Sequence, residues 1–122
     1  MYLPQKYLQK AIITKLKALG YAVSGLTIFP RVEVWDFITT PTGAKEDKQY
    51  IVTFLLDIIS NKSSLEALNI LENIRGNFTF TVEHFTPYIL VWEQQTESEE
   101  TGEGNNVIYR QIQRVRMELE EL

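Results

Sequence analysis

The chain contains no cysteine and a single histidine among its 122 residues. Without cysteine it can form no disulfide, no thiolate zinc site and no thiol nucleophile. It also lacks the glycine-rich strings that bind phosphate and the serine pattern of a nucleophile elbow. No apolar run approaches the roughly 18 residues of a membrane span, and we expect neither a span nor a signal peptide. Several enzyme and membrane classes are thereby disfavoured.

Charge is unevenly distributed along a chain that has enough apolar residues, 44%, to build a core. We expect a single domain over residues 1–122. The net charge is −4, yet residues 1–20 contain four lysines and no acid, whereas residues 93–104 contain five glutamates and no base. Such patches suit a subunit that docks head to tail on copies of itself; the alternative is that they only solvate the surface. The acidic balance disfavours nonspecific binding to duplex DNA.

Hydrophobic periodicity predicts the order helix, strand, strand, helix, strand, strand. The predicted ranges are helices over 4–19 and 63–76, and strands over 28–38, 50–60, 79–95 (interrupted at Pro87) and about 107–118. A turn over 39–47 and a flexible acidic hairpin tip over about 96–106 complete the prediction, with a helical tail as the alternative for the last strand. We therefore predict an α+β fold with two helices packed on one face of a mainly antiparallel four-stranded sheet.

Local capping signals refine the second helix. Ser63 and Glu66 form a capping box, in which the Ser63 hydroxyl accepts from the Glu66 N–H and the Glu66 side chain reaches back. Asp57 lies near the end of the preceding strand, where we expect it to cap the turn over 62–64.

Candidate catalytic and metal-binding residues are few. His84 would need a partner to act as a base, and its neighbour Glu83 points to the other side of a strand. The acidic segment 97–103 lacks the alternating oxygen ligands of a calcium loop. We predict no catalytic, cofactor-binding or metal-binding residues, and a protein that is not an enzyme.

Aromatic residues on strands are more informative, in particular Trp35, Phe37, Tyr88 and Trp92. Strands that are apolar on both faces leave two interpretations open. The aromatic side chains complete the core around the helices, or they form part of a subunit interface. A nucleic-acid-binding sheet is a further possibility, but the aromatic string typical of RNA-binding sheets does not occur.

The layout resembles that of the tail-terminator, or tail-completion, proteins of tailed bacteriophages. The similar segments are the helix from Leu8 to Leu19, the strand from Tyr50 to Ser60 and the following Ser63-Ser64-Leu65-Glu66-Ala67 helix start, together with the closing hairpin. The resemblance implies a non-enzymatic virion subunit, assembled in the host cytoplasm, that forms a ring, usually hexameric. Such a ring ends the tail tube and meets the head connector, and DNA passes through its lumen without specific binding. No cofactor and no membrane are implied.

Within that resemblance, two groups of residues are candidates for contacts. The subunit interface would include Trp35, Phe37, Trp92, Arg110, Arg114 and Arg116. A loop that docks on a partner or faces the lumen would include Glu97, Glu99, Glu100 and Glu103. Head-closure and other neck proteins of similar size remain alternatives within the virion. Outside it, the alternatives are a small soluble adaptor or ligand-binding domain, monomeric or dimeric, and then an enzyme.

Overall fold

Two helices and five strands make up the part of the chain that the structure describes, in a computed structural model covering residues 2–23, 28–42, 48–101 and 106–122. In chain order they are α1 (Pro4–Ala18), β1 (Ala22–Val23), β2 (Arg31–Thr42), β3 (Gln49–Ser60), α2 (Ser64–Gly76), β4 (Phe85–Thr101) and β5 (Val107–Glu121). Within these ranges neither helix is long and apolar enough to cross a membrane.

The strands form one mixed sheet in the order β1-β2-β3-β5-β4. β1 runs parallel to β2, and the other neighbouring pairs are antiparallel. The predicted α+β class with two helices is confirmed, whereas the prediction of four strands in a mainly antiparallel sheet missed β1. That strand has two residues, too few to show any periodicity.

The end of α1 explains where β1 starts. Gly20 adopts φ 94°, which costs a glycine little, and turns the chain out of the helix. The Gly20 and Tyr21 N–H groups donate to the carbonyls of Lys17 and Leu16 and close the last helical turn. Because this arrangement reverses the chain direction, Ala22 and Val23 reach the edge of β2.

Both helices pack on the same face of the sheet, as predicted. Their buried apolar residues meet alternate residues of the central strands β3 and β5. The cluster includes Leu8, Ile12 and Leu16 of α1, Ala67, Ile70, Leu71 and Ile74 of α2, Val52, Phe54, Leu56 and Ile58 of β3, and Val115, Met117 and Leu119 of β5. α1 lies over β1, β2 and β3, and α2 lies over β3 and β5. The core therefore forms between this face and the two helices.

Strand β2 is longer than predicted and irregular. It remains paired with β3 as far as Thr42, so the expected turn does not begin at residue 39. The register shifts between Trp35 and Ile38, and Asp36 in between has φ 59°. Such a bulge changes which face the following residues point to. Residues 43–47 of the predicted turn lie outside the described part of the chain.

The closing hairpin differs most from the prediction. Residues 79–84 contribute only a single bridge, between Val82 and Phe85, and β4 then continues through Pro87 to Thr101. Residues 96–101, predicted as part of a flexible tip, are paired with 107–112 of β5. The last segment is a strand, so the helical alternative is wrong. Its backbone bonds to β3 on one side and β4 on the other, which favours a strand regardless of the ambiguous periodicity.

Candidate interface on the open face of the sheet

One face of the sheet carries no helix in the described chain, and we call it the open face. On β3 it is formed by Thr53, Leu55, Asp57 and Ile59, which alternate with the core residues. Since residues paired directly across strands share a face, the register places further side chains there. Four of the predicted interface residues are among them. Trp35 lies opposite Leu55 on β3. Arg110 lies opposite Ile59, Arg114 opposite Leu55 and Arg116 opposite Thr53.

Asp57 is the centre of the open face and is fully buried. Arg110 donates from Nε to Oδ1 over 3.3 Å and from Nη2 to Oδ2, and Trp35 donates from Nε1 to Oδ2 over 3.3 Å. The hydrogen bond to Asp57 is the main cause that raises the pKa of Arg110. A buried carboxylate is tolerated when a cation and further donors compensate it, as they do here. The predicted role of Asp57 as a cap for the turn over 62–64 is therefore wrong.

The remaining arginines of the open face are also paired within the chain. Arg31 lies 3.2 Å from Glu33, Arg116 lies 3.0 Å from Glu118, and Arg114 lies 3.7 Å from Asp36. The Arg110 guanidinium has a second carboxylate, Glu100, at 3.3 Å. Among the described residues, every arginine of this face thus has an acidic partner, and the face presents alternating rather than uniform charge.

Exposed apolar side chains flank this charged centre. Trp35 and Ile38 on β2 are 45% and 52% exposed, and Ile89 and Val91 on β4 are 40% and 38% exposed. Ile38 lies opposite Thr53, Ile89 opposite Glu118 and Val91 opposite Arg116, so all share the open face. Apolar patches beside polar groups are typical of surfaces that bind other proteins.

Two predicted interface residues lie on the other face. Phe37 stacks on Phe54 with ring centroids 5.3 Å apart, and Trp92 lies opposite Val115, with its ring 5.3 Å from that of Phe78. Both are packed against the core. Strict alternation would put Phe37 beside Trp35, but the bulge at Asp36 separates them. The six predicted residues therefore divide, four on the open face and two against the core.

Three of the four predicted acidic residues, Glu97, Glu99 and Glu100, lie on strand β4. Glu97 accepts from Gln111 Nε2 over 2.9 Å, and Gln95 donates to Gln111 Oε1 over 2.7 Å. Glu100 pairs with Arg110, while Glu99 is exposed. Glu103 lies outside the described residues.

The buried glutamines are structural positions that the sequence reasoning missed. Gln111 and Gln113 are buried on the helix face, although they look like surface residues by composition. Gln113 donates to the backbone carbonyls of Glu93 and Arg114. The only signal of their burial in the sequence was their alternation with Arg110, Ile112 and Arg114. In a central strand such alternation places one of the two sets of side chains on the core face. The two glutamines fix β4 to β5 where the strand is otherwise polar.

His84, the candidate base, and the buried Asp57 are both engaged in contacts within the chain. The ring of His84 stacks on Tyr2 at 3.6 Å, and its Nε2 lies 3.8 Å from Glu83. Asp57 is closed off from solvent by Trp35 and Arg110. In the described ranges, no three His, Asp or Glu side chains converge as a metal site would require.

The comparison with solved structures shows a similarity in fold. The fold is similar to that of a chain in the virion of a native gene transfer agent (GTA) particle, with a TM-score of 0.76. The match covers 98% of this chain and 99% of the other, at 14% sequence identity. At this identity the similarity shows a shared fold. No protein-family model matches the sequence, and no curated protein matches it.

Proposed function

We propose that the chain is a structural subunit of a phage-like particle, located in its tail or neck. In this proposal, copies of it form a ring that terminates the tail tube and joins it to the head connector. The observation that carries the proposal is the fold shared, over nearly the whole of both chains, with a component of a GTA virion. The resemblance of the sequence to tail-terminator proteins supports the same location.

The open face supports a role in binding protein rather than in catalysis. Its centre is a set of ion pairs that close over Asp57, and its flanks expose Trp35, Ile38, Ile89 and Val91. Aromatic and aliphatic side chains beside arginines are common at the centre of interfaces. In the proposed particle these flanking residues, on the outer strands β2 and β4, contact a neighbouring protein, either another copy or a tail-tube or connector protein, and the charged centre between them stays uncovered.

Charge pairing on the open face also fits a channel for DNA. DNA binding without sequence preference needs several cations that neutralise phosphates. Here Arg31, Arg110, Arg114 and Arg116 are already neutralised by carboxylates of the same chain. If this face lines the lumen, DNA passes without being retained.

The alternative proposal is a soluble adaptor that works as a monomer or dimer. The exposed apolar flanks of the open face are compatible with this alternative. In a two-fold dimer the open faces of the two copies would pack against each other and bury these flanks. The two proposals differ in the size of the assembly.

Deletion of the gene from a particle-producing genome tests the proposed role. We expect electron micrographs of the lysate to show heads and tails that are not joined, or tails of abnormal length, and complementation by the intact gene to restore whole particles. Normal, joined particles in the deletion strain would contradict the proposal.

A further inference from the structure

The two edges of the sheet carry opposite charge. At one edge, α1 lies over β1 and β2 and contains four lysines and no acidic residue. At the other edge, β4 contains Glu93, Glu97, Glu99 and Glu100 and no basic residue. With five strands at about 4.8 Å spacing, the outer strands are about 19 Å apart, so the patches do not neutralise each other within one copy.

A groove lies between α1 and the part of β2 that β1 does not cover. One part, of about 790 Å³, is lined by Leu3, Pro4, Lys6, Lys10, Ile13 and Thr39. A second part, of about 530 Å³, shares Gln9 and Ile13 with the first and continues past Lys17. Its remaining lining consists of Val23, Glu33, Val34, Trp35 and Arg110. The groove therefore follows the length of α1, with apolar walls and lysines along it.

The backbone beside this groove has unused pairing capacity. β1 covers only Arg31 and Val32 of β2, so in the described chain the outer side of β2 from residue 33 to 42 pairs with no strand. The outer side of β4 is likewise unpaired among the described residues. An extended segment is the natural occupant of such an edge.

We propose that the acidic half of β4 from one copy, residues 93–101, docks in the lysine-lined groove between α1 and β2 of the next copy. This inference rests on the proposed function, and it names the surfaces through which neighbouring subunits meet. The lengths agree, because the nine extended residues of β4 span about 30 Å and the ten uncovered residues 33–42 of β2 span about 33 Å.

The charges needed for this contact are available. Lys6 and Lys17 on α1, and Glu93 and Glu99 on β4, have no ion-pair partner among the residues that the structure describes. Lys10 has only Glu83 at 3.7 Å, with both side chains more than half exposed. The arginines of the open face, by contrast, are already paired. Docking β4 against α1 thus pairs charges that a single copy leaves unpaired.

The contact is heterologous, because a copy presents its groove at one edge and its acidic strand at the other. Each bound copy therefore leaves one groove and one strand free at the ends of the assembly. Such contacts propagate from copy to copy, and they close into a ring when the rotation between neighbouring copies divides a full turn. The same geometry disfavours a two-fold dimer, in which both contacts would have to form between the same two copies.

Complementary charge reversal tests the proposed contact. The first variant carries Lys6→Glu and Lys17→Glu, and the second carries Glu93→Lys and Glu99→Lys. Each variant alone would bring like charges together, and we expect its mass by light scattering to fall to the 14.2 kDa of one chain. In an equimolar mixture the charges match at every contact, so the assembly should return with the two variants alternating. Recovery on mixing also shows that both variants fold.

Glu72→Lys serves as the control, because Glu72 is exposed on α2 and belongs to neither proposed contact surface, and it should leave assembly unchanged. If both variants assemble like the wild type, or if mixing fails to restore assembly, the proposed contact is overturned while the ring itself stands. If the wild type forms no ring, the proposed function fails, and this inference fails with it.

Discussion

Asp57 shows how a single buried charge organises the open face. It sits on a central strand between Leu55 and Ile59, both largely buried, and water does not reach it. Three hydrogen bonds from Arg110 and Trp35 replace that water. Because β5 supplies Arg110 and β2 supplies Trp35, the carboxylate links three neighbouring strands. The sequence reasoning placed Trp35 and Arg110 in one group but did not connect them to Asp57.

Replacing Arg110 should destabilise the fold strongly. Arg110→Met leaves the Asp57 carboxylate buried with only the indole as donor, and we expect a loss of about 3–5 kcal/mol in the free energy of unfolding. Urea denaturation followed by circular dichroism measures this loss.

The control is Arg114→Met, which removes a similar side chain from the same strand. The Arg114 and Asp36 side chains are 38% and 42% exposed and 3.7 Å apart, so we expect a loss of at most about 1 kcal/mol. Equal losses of unfolding free energy for the two variants would show that burying the Asp57 carboxylate does not require Arg110 as its partner.

At the scale of elements, the turn between β3 and α2 is organised by a serine that the sequence reasoning did not single out. The Ser63 hydroxyl accepts from the Glu66 N–H at 3.1 Å, which is one of the two hydrogen bonds predicted for the capping box. The Glu66 carboxylate, however, accepts from the buried Ser60 hydroxyl at 2.7 Å. The Ser60 oxygen in turn accepts from the N–H groups of Lys62 and Ser63. The Ser60 hydroxyl thus connects the Glu66 carboxylate to the Ser63 N–H, two groups that bond directly in a capping box.

Ser63→Ala should cost about 1 kcal/mol of unfolding free energy, because it removes the acceptor for an otherwise unpaired N–H at the start of α2. Ser64→Ala, one residue further on, is the matched control, since Ser64 is exposed and inside the helix. We expect it to leave the urea midpoint nearly unchanged. A midpoint shift as large for Ser64→Ala as for Ser63→Ala would contradict the capping role.

Elements with strong periodicity could be predicted, and irregular ones could not. Both helices and β3 have clear apolar stripes, and the glycine that ends α1 gives a local signal of its own. The bulge at Asp36 leaves no mark on the alternation, so the sequence pattern does not show that Phe37 and Trp35 lie on opposite faces. Residues 96–101 are polar because they form an exposed edge strand, and composition alone does not distinguish such a strand from a loop.

At the scale of the whole molecule, the sheet separates three surfaces. The helix face holds the core, the open face holds paired charges with apolar flanks, and the two edges carry opposite charges. A subunit of a closed ring needs two different contact surfaces, and a subunit around a DNA channel needs a surface that does not retain phosphate. The lysine-rich and glutamate-rich segments of the sequence already indicated two different contact surfaces. The pairing of the arginines, which meets the second requirement, depends on strand register and appears only in the structure.

The wild-type chain should show no saturable binding to a short DNA duplex at physiological salt. The variant Asp36→Asn with Glu118→Gln removes the carboxylates beside Arg114 and Arg116, and should gain weak binding at low salt. With two arginines released, the logarithm of its affinity should fall with the logarithm of salt concentration with a slope of about −2. Fluorescence anisotropy measures both proteins, and tight binding by the wild type would contradict the account of the open face.

The most direct test of the central claim is the mass of the purified wild-type chain in solution, measured by light scattering over a concentration series and followed by negative-stain imaging. The account predicts a closed ring of about six copies, each of 14.2 kDa, with a visible central opening. A chain that remains a monomer or a two-fold dimer at the highest concentration would contradict it and favour the adaptor proposal.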